Sequence, residues 1–206
     1  MTARRIPIFS TIVVIAAALT MVGLGVWQLG RAEEKDRRIA ALASRVLLPP
    51  LAYPKSGFGE EYHYRTLNAD CSKVLRWEVA GGKDAKGRTG WSKIATCFDE
   101  ATGSRFKVDL GVGLGPEDYP SWNGGQVSGR GIFEPDNRSL YELMMRIERP
   151  RRLMIVSATA APELTLSEQP DPSNENNSSW AYAGQWFFFA LTALVIYVLA
   201  LRRRGR

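Results

Sequence analysis

Two long stretches without charge, one near each end, constrain this sequence more than any other feature. No charged residue lies between Ile8 and Trp27 or between Trp180 and Leu201. As helices that rise about 1.5 Å per residue, both stretches could cross a hydrocarbon core of about 30 Å. Only a helix satisfies its own backbone hydrogen bonds within lipid. We therefore predict transmembrane helices over residues 8–29 and 180–201, with buried helices of a soluble core as the alternative.

The first apolar stretch could instead be a cleaved signal peptide. Its uncharged run exceeds the apolar region of a signal peptide, which is typically about 7–15 residues long. The sequence that follows, from Gly25 to Arg31, also has no clear cleavage site with two small residues. An uncleaved membrane anchor is therefore the better interpretation.

The net charge of +6 is located at the two ends of the chain. Without the terminal arginines the sequence is neutral, which argues against binding to a nucleic-acid backbone. Arginines that flank apolar stretches stay in the cytoplasm, so we predict cytoplasmic tails over residues 1–7 and 202–206 and a central domain on the opposite side. A basic cluster between Arg31 and Arg38 opposes this orientation, and we give the C-terminal cluster more weight. The terminal arginines are Arg4, Arg5, Arg202, Arg203, Arg204 and Arg206.

The expected compartment decides how the two cysteines are interpreted. The stretch before Ile8 is too short for an organelle transit peptide, so we expect a bacterial plasma membrane and a periplasmic domain. The periplasm is oxidising, which favours a disulfide between Cys71 and Cys97. The alternative is a copper site, but such sites gather Cys, His or Met at close spacing. The two cysteines are far apart in sequence, and neither has a histidine beside it.

The residue pattern of the region between the helices is typical of a small β domain. We predict a juxtamembrane helix over 30–48 that ends at two prolines, a β-rich domain over 49–161 and a polar linker over 162–179. Ser139–Arg149 is expected to form one short helix. The fold class is thus a two-helix membrane protein, α+β overall, with a mainly antiparallel, barrel-like periplasmic domain. Runs of β-branched and aromatic residues between turn signals predict six strands: Tyr62–Asn68, Cys71–Ala80, Trp91–Phe98, Arg105–Val112, Gln126–Glu134 and Leu153–Ala158.

The sequence offers little for catalysis. His63 is the only histidine, so a catalytic triad or a site with several histidines would have to be built on that one residue. The glycine-rich run Gly111–Gly115 leads into Pro116 and lacks the lysine of a phosphate-binding loop. We therefore predict that the protein is not an enzyme.

Two short motifs stand where the apolar stretches meet the central domain. The first runs from Leu24 to Arg31 with Lys35 one turn later, and the second runs from Asn176 to Phe187. A belt of aromatic residues with flanking arginines is common at membrane boundaries. Such a belt does not account for Gln28 and Asn177 at fixed distances from the aromatic residues.

These motifs resemble the two signatures of the Surfeit locus protein one family of cytochrome c oxidase assembly factors. The resemblance implies two transmembrane helices around an outward β-rich domain, and help in inserting haem a into oxidase subunit I or in stabilising that subunit. It also implies contact with the lipid bilayer, with oxidase subunit I and with other assembly proteins. The residues that match are Gly25, Trp27, Gln28, Arg31 and Lys35 in the first signature, and Asn177, Tyr182, Ala183, Trp186 and Phe187 in the second.

The chain departs from the family pattern at two places. Ser179 stands where the family has a histidine that is a candidate haem ligand, and a hydroxyl is a poor ligand for haem iron. The family's central Asn-Arg-Gly-Trp appears as Asp109–Val112. Haem a binding would thus need another ligand, or contact with apolar and aromatic groups alone, or the protein acts on the oxidase without touching haem. The candidate ligands are His63, Met144, Met145, Met154 and Tyr182.

The favoured hypothesis is a non-enzymatic assembly factor that docks on subunit I through both signatures. Arg31 is then a candidate for binding a haem propionate or a lipid phosphate, or it is an ordinary interfacial anchor. An alternative is a structural or ligand-sensing two-pass protein with a periplasmic binding domain. A third hypothesis is a thiol or copper carrier that uses Cys71 and Cys97.

Overall fold

The computed structural model describes residues 7–174 and 177–203. The predicted tails lie largely outside the described residues, and the residues outside include Arg4, Arg5, Arg204, Arg206 and Asn176. The chain divides into two compact units. The helical unit comprises Met1–Ala40 and Asn174–Arg206, and the β unit comprises Ala41–Ser173.

Two long helices, α1 (Ile8–Val46) and α3 (Ser179–Arg203), include both predicted apolar stretches. Within the described residues, these are the two helices that are long and apolar enough to cross a membrane. Large apolar side chains on both are exposed, including Phe9 at 81% and Phe188 at 64%, which is not the pattern of a soluble core. Helix α1 continues unbroken through the predicted juxtamembrane segment and ends just before Pro49, because proline cannot continue a helix.

The described residues of the β unit form one seven-stranded sheet in the order β1-β2-β6-β7-β5-β4-β3. The short helix predicted over Ser139–Arg149 is found only in part, as α2 (Leu140–Met144). Five of the six predicted strands are found with shifts of up to three residues at their ends, whereas the strand predicted over Tyr62–Asn68 overlaps β2 only at residues 66–68. Strand β1 was not expected. The strands are β1 (Leu51–Ala52), β2 (Thr66–Cys71), β3 (Lys73–Lys83), β4 (Thr89–Asp99), β5 (Ser104–Gly113), β6 (Gly125–Phe133) and β7 (Leu153–Ser157).

The sheet is open, so the barrel-like closure expected from the sequence is not found. Its two edges are β1 and β3, which differ greatly in length, so β1 cannot supply a hydrogen-bonded ladder for β3. The sheet is mainly antiparallel, as predicted, but β1 runs parallel to β2 and β7 runs parallel to β5. Strand β7 enters between β5 and β6, which separates these two sequential strands.

The core of the β unit lies on one face of this sheet. Leu67, Val108, Leu153 and Ile155 are fully buried there. The Tyr53 hydroxyl donates a 2.8 Å hydrogen bond to the carbonyl oxygen of Leu153, which satisfies the polar end of an otherwise apolar ring. Burial raises the pKa of Tyr53 to about 12, because a phenolate would be poorly solvated in this core.

A disulfide joins Cys71 at the end of β2 to Cys97 on β4, the pairing that the sequence analysis favoured over a copper site. Both residues are buried in the core. Strands β2 and β4 are not neighbours in the sheet, so the sheet must curve to bring them together. The disulfide therefore connects two distant parts of one curved sheet.

Removing this disulfide is expected to destabilise the β unit. The variant Cys71→Ser/Cys97→Ser should lose about 3 kcal/mol of unfolding free energy, because the crosslink restricts the unfolded chain. Urea unfolding of the full chain, with and without reductant, measures this loss. Reductant should lower the stability of the wild type but not that of the double variant. Equal stability of the two proteins without reductant would contradict the prediction.

The predicted polar linker is only partly a linker. Thr165 exchanges two backbone hydrogen bonds with Val112, and the Ser167 hydroxyl donates to the Asp109 carboxylate at 2.8 Å. Ser167 is buried, as is Asp109. Burial raises the pKa of Asp109, although hydrogen bonds from Gly111, Ser167 and Ser92 oppose this shift. The first part of the segment thus belongs to the β unit, because its backbone completes the sheet beyond the end of β7.

Candidate functional site at the paired helices

Helices α1 and α3 run antiparallel and contact each other within the helical unit. Near the start of α1, the hydroxyl groups of Thr11 and Tyr197 form a hydrogen bond. Farther along, Gly25 lies against the ring of Phe187. Beyond that point, the side chain of Asn177 reaches the backbone of Ala32. The pairing thus brings together residues that are more than a hundred positions apart in sequence.

Small residues are buried along the pair. Ala32 is completely buried and Ala183 nearly so, and Ala18 and Ala190 are also shielded. Helices in lipid have no hydrophobic effect to drive their association, so close approach through small side chains is their usual means of packing. The buried alanines and glycine indicate that α1 and α3 pack closely against each other.

Gly25 and Phe187, one from each signature, pack against each other. A Cβ atom added to Gly25 would lie 2.8 Å from two ring carbons of Phe187, which is closer than carbon atoms can pack. Gly23, half a turn earlier, has nothing within 4 Å of its own added Cβ. The ring of Phe187 therefore occupies space that only a glycine at position 25 leaves open.

A polar cluster of Asp36, Asn177 and Trp180 joins the two helices; we call it the Asp36 clamp. The Asn177 Nδ2 group donates to the Ala32 carbonyl oxygen at 2.8 Å and to Asp36 Oδ1 at 2.7 Å. The Trp180 Nε1 group donates to Asp36 Oδ2 at 2.9 Å. Hydrogen bonds from Asn177 first, and then from Trp180, lower the pKa of Asp36. The clamp therefore holds the ionised carboxylate of Asp36, on α1, against the start of α3.

The oxygen of the Asn177 amide, unlike its nitrogen, has no hydrogen-bond partner among the described residues. Asn177 Oδ1 is buried and accepts no hydrogen bond from the part of the chain that the structure describes. A buried acceptor without a donor costs free energy. This atom is consequently a buried position in the clamp that could still accept a hydrogen bond.

The remaining signature residues are exposed or half-buried. The Arg31 guanidinium lies 5.4 Å from the centre of the Trp27 ring, a cation–π arrangement on an exposed surface. Trp27 is 54% exposed and Tyr182 is 51% exposed. Gln28, Lys35 and Trp186 are half-buried, and Trp186 packs edge-on against Phe189. The two signatures thus separate into residues that join the helices and residues that are presented to the surroundings.

Comparison with known proteins identifies the family. The SURF1 family model matches residues 15–191, from within α1 to within α3. The chain belongs to the SURF1 family. SURF1 is the cytochrome c oxidase assembly family, which confirms the resemblance of the two signatures and supports a role in cytochrome oxidase assembly. SURF1 proteins are membrane-associated assembly factors and are not known as enzymes. Among curated proteins, none matches this chain.

The structure does not give this SURF1 protein an evident haem-ligand set. Ser179, in place of the SURF1 histidine, is buried at the first position of α3. His63 lies in the β unit, with its ring 4.3 Å from that of Tyr64 and 4.5 Å from that of Phe133. Met154 is buried in β7, whereas Met144 and Met145 are exposed on and beside α2. Among the described residues, no three His, Cys, Asp or Glu side chains are grouped to hold a metal.

Asp36 and Trp180 are site residues that were not predicted from the sequence. Asp36 lies in the cluster of charges between Arg31 and Arg38, and Trp180 is the first residue of the second apolar stretch. The sequence did contain a signal. Ala32 and Asp36 are four residues apart on the same extended helix, and residues four apart share a helix face. The partner of that face could not be known, because it comes from the other end of this SURF1 chain.

Replacing Asn177 by aspartate is expected to weaken the Asp36 clamp in a pH-dependent way. The substitution keeps the shape but turns the donor 2.7 Å from Asp36 into a second carboxylate oxygen. At pH 7 the two charges repel, so the variant should unfold at a lower temperature than the wild type. Near pH 4 one carboxylate takes up a proton, so the difference from the wild type should shrink. Circular dichroism of the full chain in detergent measures both unfolding temperatures.

The pKa of Asp36 in the wild type determines how its contribution to stability changes with pH. Because the pKa of Asp36 is lowered on folding, its contribution is complete above the unfolded value of about 3.9 and is lost only as the pH falls through the folded value. The control is Asn177→Ala, which loses the same donor without adding charge. Its difference from the wild type should shrink much less between pH 7 and pH 4, because only the hydrogen bond to Asp36 is lost. An equally small change for Asn177→Asp would contradict the repulsion.

Proposed function

We propose that this protein helps haem a insertion into subunit I of a haem–copper cytochrome c oxidase, or stabilises that subunit, by docking on it. It acts without catalysis. In this proposal α1 and α3 span the bacterial plasma membrane with both termini in the cytoplasm, and the β unit is periplasmic. Family membership supports the link to the oxidase. The apolar length of the two helices supports the membrane location.

The observation that carries the proposal is the division of the signature residues. Gly25, Phe187 and Asn177 join α1 to α3, whereas Trp27, Arg31 and Tyr182 are exposed. Tryptophan, tyrosine and arginine are the residues that most often dominate the energy of protein–protein contacts. A helix pair that presents these three side chains is suited to recognise another membrane protein.

Direct ligation of the haem iron is not part of this function. The position of the family histidine is a buried serine, and a hydroxyl is a poor iron ligand. His63 is packed beside two aromatic rings in the β unit, and no group of three or more His, Cys, Asp or Glu side chains that could hold a metal occurs among the described residues. The proposal therefore assigns no iron ligand to this chain. The contribution of this chain is contact with the oxidase subunit that receives haem a.

Deletion of the gene tests the proposal. The oxidase purified from the deletion strain should contain less haem a, measured from its absorption spectrum, than that from the parent strain. Complementation with Trp27→Ala/Arg31→Ala should fail to restore the haem a content. The matched control is Val26→Ala, which changes another exposed residue of α1 (57% exposed) and should restore it. Unchanged oxidase content and spectrum after deletion would refute the proposal.

A second candidate, a ligand-sensing two-pass protein, is favoured by one feature of the β unit. A surface cavity of about 620 Å³ is lined by strands β2 and β6, with Asn68, Asp70 and Gln126 among its polar side chains. Purification from mild detergent separates the two functions. Oxidase subunits that co-purify with the wild type but not with Trp27→Ala/Arg31→Ala support the assembly role. An unrelated envelope protein or a small molecule retained in their place supports the second candidate.

A further inference from the structure

We propose that the segment between β6 and β7, residues 134–152, docks on the anionic surface of a phospholipid bilayer. Its apolar tip enters the interface, and its arginines bind lipid phosphates. We call this segment the β6–β7 loop. The inference goes beyond the assembly function and rests only on that part of the proposed function in which α1 and α3 anchor the chain in a membrane.

The tip of the loop exposes apolar side chains that no core accounts for. Helix α2 has no buried residue. The exposed fraction is 75% for Leu140, 66% for Tyr141 and 76% for Met144. Leu143, Met145 and Ile147 are exposed as well. A contiguous exposed apolar patch on a soluble unit usually marks an interaction surface.

Hydrogen bonds give the tip a defined conformation. The Ser139 hydroxyl accepts from the backbone N–H of Glu142, and the Glu142 carboxylate accepts from the backbone N–H of Ser139 at 2.9 Å. This reciprocal capping box fixes the start of α2. Arg138 donates to the Ile147 carbonyl oxygen at 3.1 Å and so joins the two sides of the loop. The apolar side chains are thus held together on a built element.

The base of the loop forms a cleft that is rich in arginine. The cleft has a volume of about 170 Å³ and is lined by Arg138, Arg149, Arg151 and Arg152. Arg138 pairs with Asp136, and Arg149 pairs with Glu142. Arg151 instead lies over the ring of Phe133 at 4.9 Å, and Arg152 lies over the ring of Phe58 at 5.4 Å. Within the described residues, neither of these two arginines forms an ion pair with a carboxylate, although Arg151 is near enough to Asp136 for their charges to interact.

These properties together favour a lipid surface as the partner. Arg151 and Arg152 lie over aromatic rings and are exposed, so their guanidinium groups can bind an oxyanion, which a phosphate group supplies. Apolar residues beside basic ones are typical of segments that lie in the bilayer interface. Arginines near an anionic lipid surface are attracted to it. A bilayer is also the surface to which this chain is tied by its own helices.

A fluorescent probe on the tip tests the proposal in the full chain. The variant Met144→Cys is labelled with an environment-sensitive dye and placed in lipid nanodiscs that carry a quencher in the lipid tails. The matched control is Leu114→Cys, because Leu114 is also apolar and is 96% exposed but lies in the turn after β5. In discs with anionic phosphatidylglycerol we expect several-fold stronger quenching at position 144 than at position 114.

The dependence on charge tests the role of the arginines. The double substitution Arg151→Gln/Arg152→Gln should remove most of the quenching at position 144 in anionic discs. Discs of zwitterionic phosphatidylcholine should give weak quenching even with both arginines present. The matched control, Lys73→Gln/Arg105→Gln, removes two exposed cations elsewhere in the β unit and should leave the quenching unchanged.

Three outcomes would overturn the inference. The first is equal quenching at positions 144 and 114, and the second is equal quenching in anionic and zwitterionic discs. The third is a change in the dye fluorescence at position 144 that occurs only after purified oxidase is added. Co-elution of the labelled chain with the discs is measured in every case. A chain that co-elutes with the discs but shows no quenching at position 144 contradicts the docking loop alone. Failure to co-elute contradicts the membrane anchoring in the proposed function.

Discussion

Replacing Gly129 by alanine is expected to prevent the β unit from folding. Gly129 lies in the middle of β6, opposite Leu67 of β2 and Ser157 of β7. A Cβ atom at this position would lie 2.0 Å from the carbonyl oxygen of Val156 and 2.7 Å from its carbonyl carbon. Both atoms belong to the backbone of a central strand, so a change of side-chain rotamer cannot relieve the clash. We expect a loss of more than about 4 kcal/mol, which is exceptional for a single substitution.

The matched control for this prediction is Gly81→Ala. Gly81 lies on the edge strand β3, and nothing lies within 4 Å of its added Cβ. This variant should unfold in urea at nearly the same concentration as the wild type, with circular dichroism as the measurement. Gly129→Ala should lose the β signal or be recovered only in aggregated form. Comparable stability of the two variants would mean that β6 and β7 can separate at no cost.

Replacing Gly25 by leucine is expected to separate α1 from α3 and to abolish oxidase assembly. The added side chain would occupy the space of the Phe187 ring. Two carbons of this ring lie 2.8 Å from where a Cβ atom at position 25 would be. Overpacking of this kind costs about 1–3 kcal/mol, and the packing of small residues is the main source of attraction between helices in lipid. The loss should appear as a lower unfolding temperature in detergent and as low oxidase content in a complemented deletion strain.

Two further variants distinguish this packing effect from a general effect of leucine. Gly23→Leu places the same side chain on the same helix at a position with open space around it, so it should behave like the wild type. Phe187→Ala combined with Gly25→Leu removes the ring and should recover part of the lost stability. Equal damage from leucine at positions 23 and 25 would argue against a specific role of the Gly25–Phe187 contact.

Much of the local structure follows from the sequence alone. The two long helices could be predicted because an uncharged apolar run of about twenty residues is typical of a membrane-spanning helix. The six longer strands could be predicted because β-branched and aromatic runs between glycine-containing turns are local signals. Strand β1 escaped prediction because two residues carry no periodicity. The disulfide was favoured from the expected compartment, and both signatures were visible as residue types at fixed spacing.

The arrangement of these elements was not available from the same signals. Nothing local to β7 indicates that it enters between β5 and β6, and nothing local to β1 indicates that the sheet stays open. The division of the signatures into buried and exposed residues also depends on the partner helix. Gly25 could have been a flexible point of α1 until the ring of Phe187 was placed against it.

The sequence by itself thus determined the helices, the longer strands, the family signatures and the neutral charge of the region between the helices. These properties depend on neighbouring residues and on the cost of placing charge in lipid. Only the tertiary structure decided the strand order, the Asp36 clamp and the arginine-lined cleft beside the exposed tip of the β6–β7 loop. The physical reason is that each of these depends on contacts between segments distant in sequence, and such contacts are selected by the packing of the whole chain.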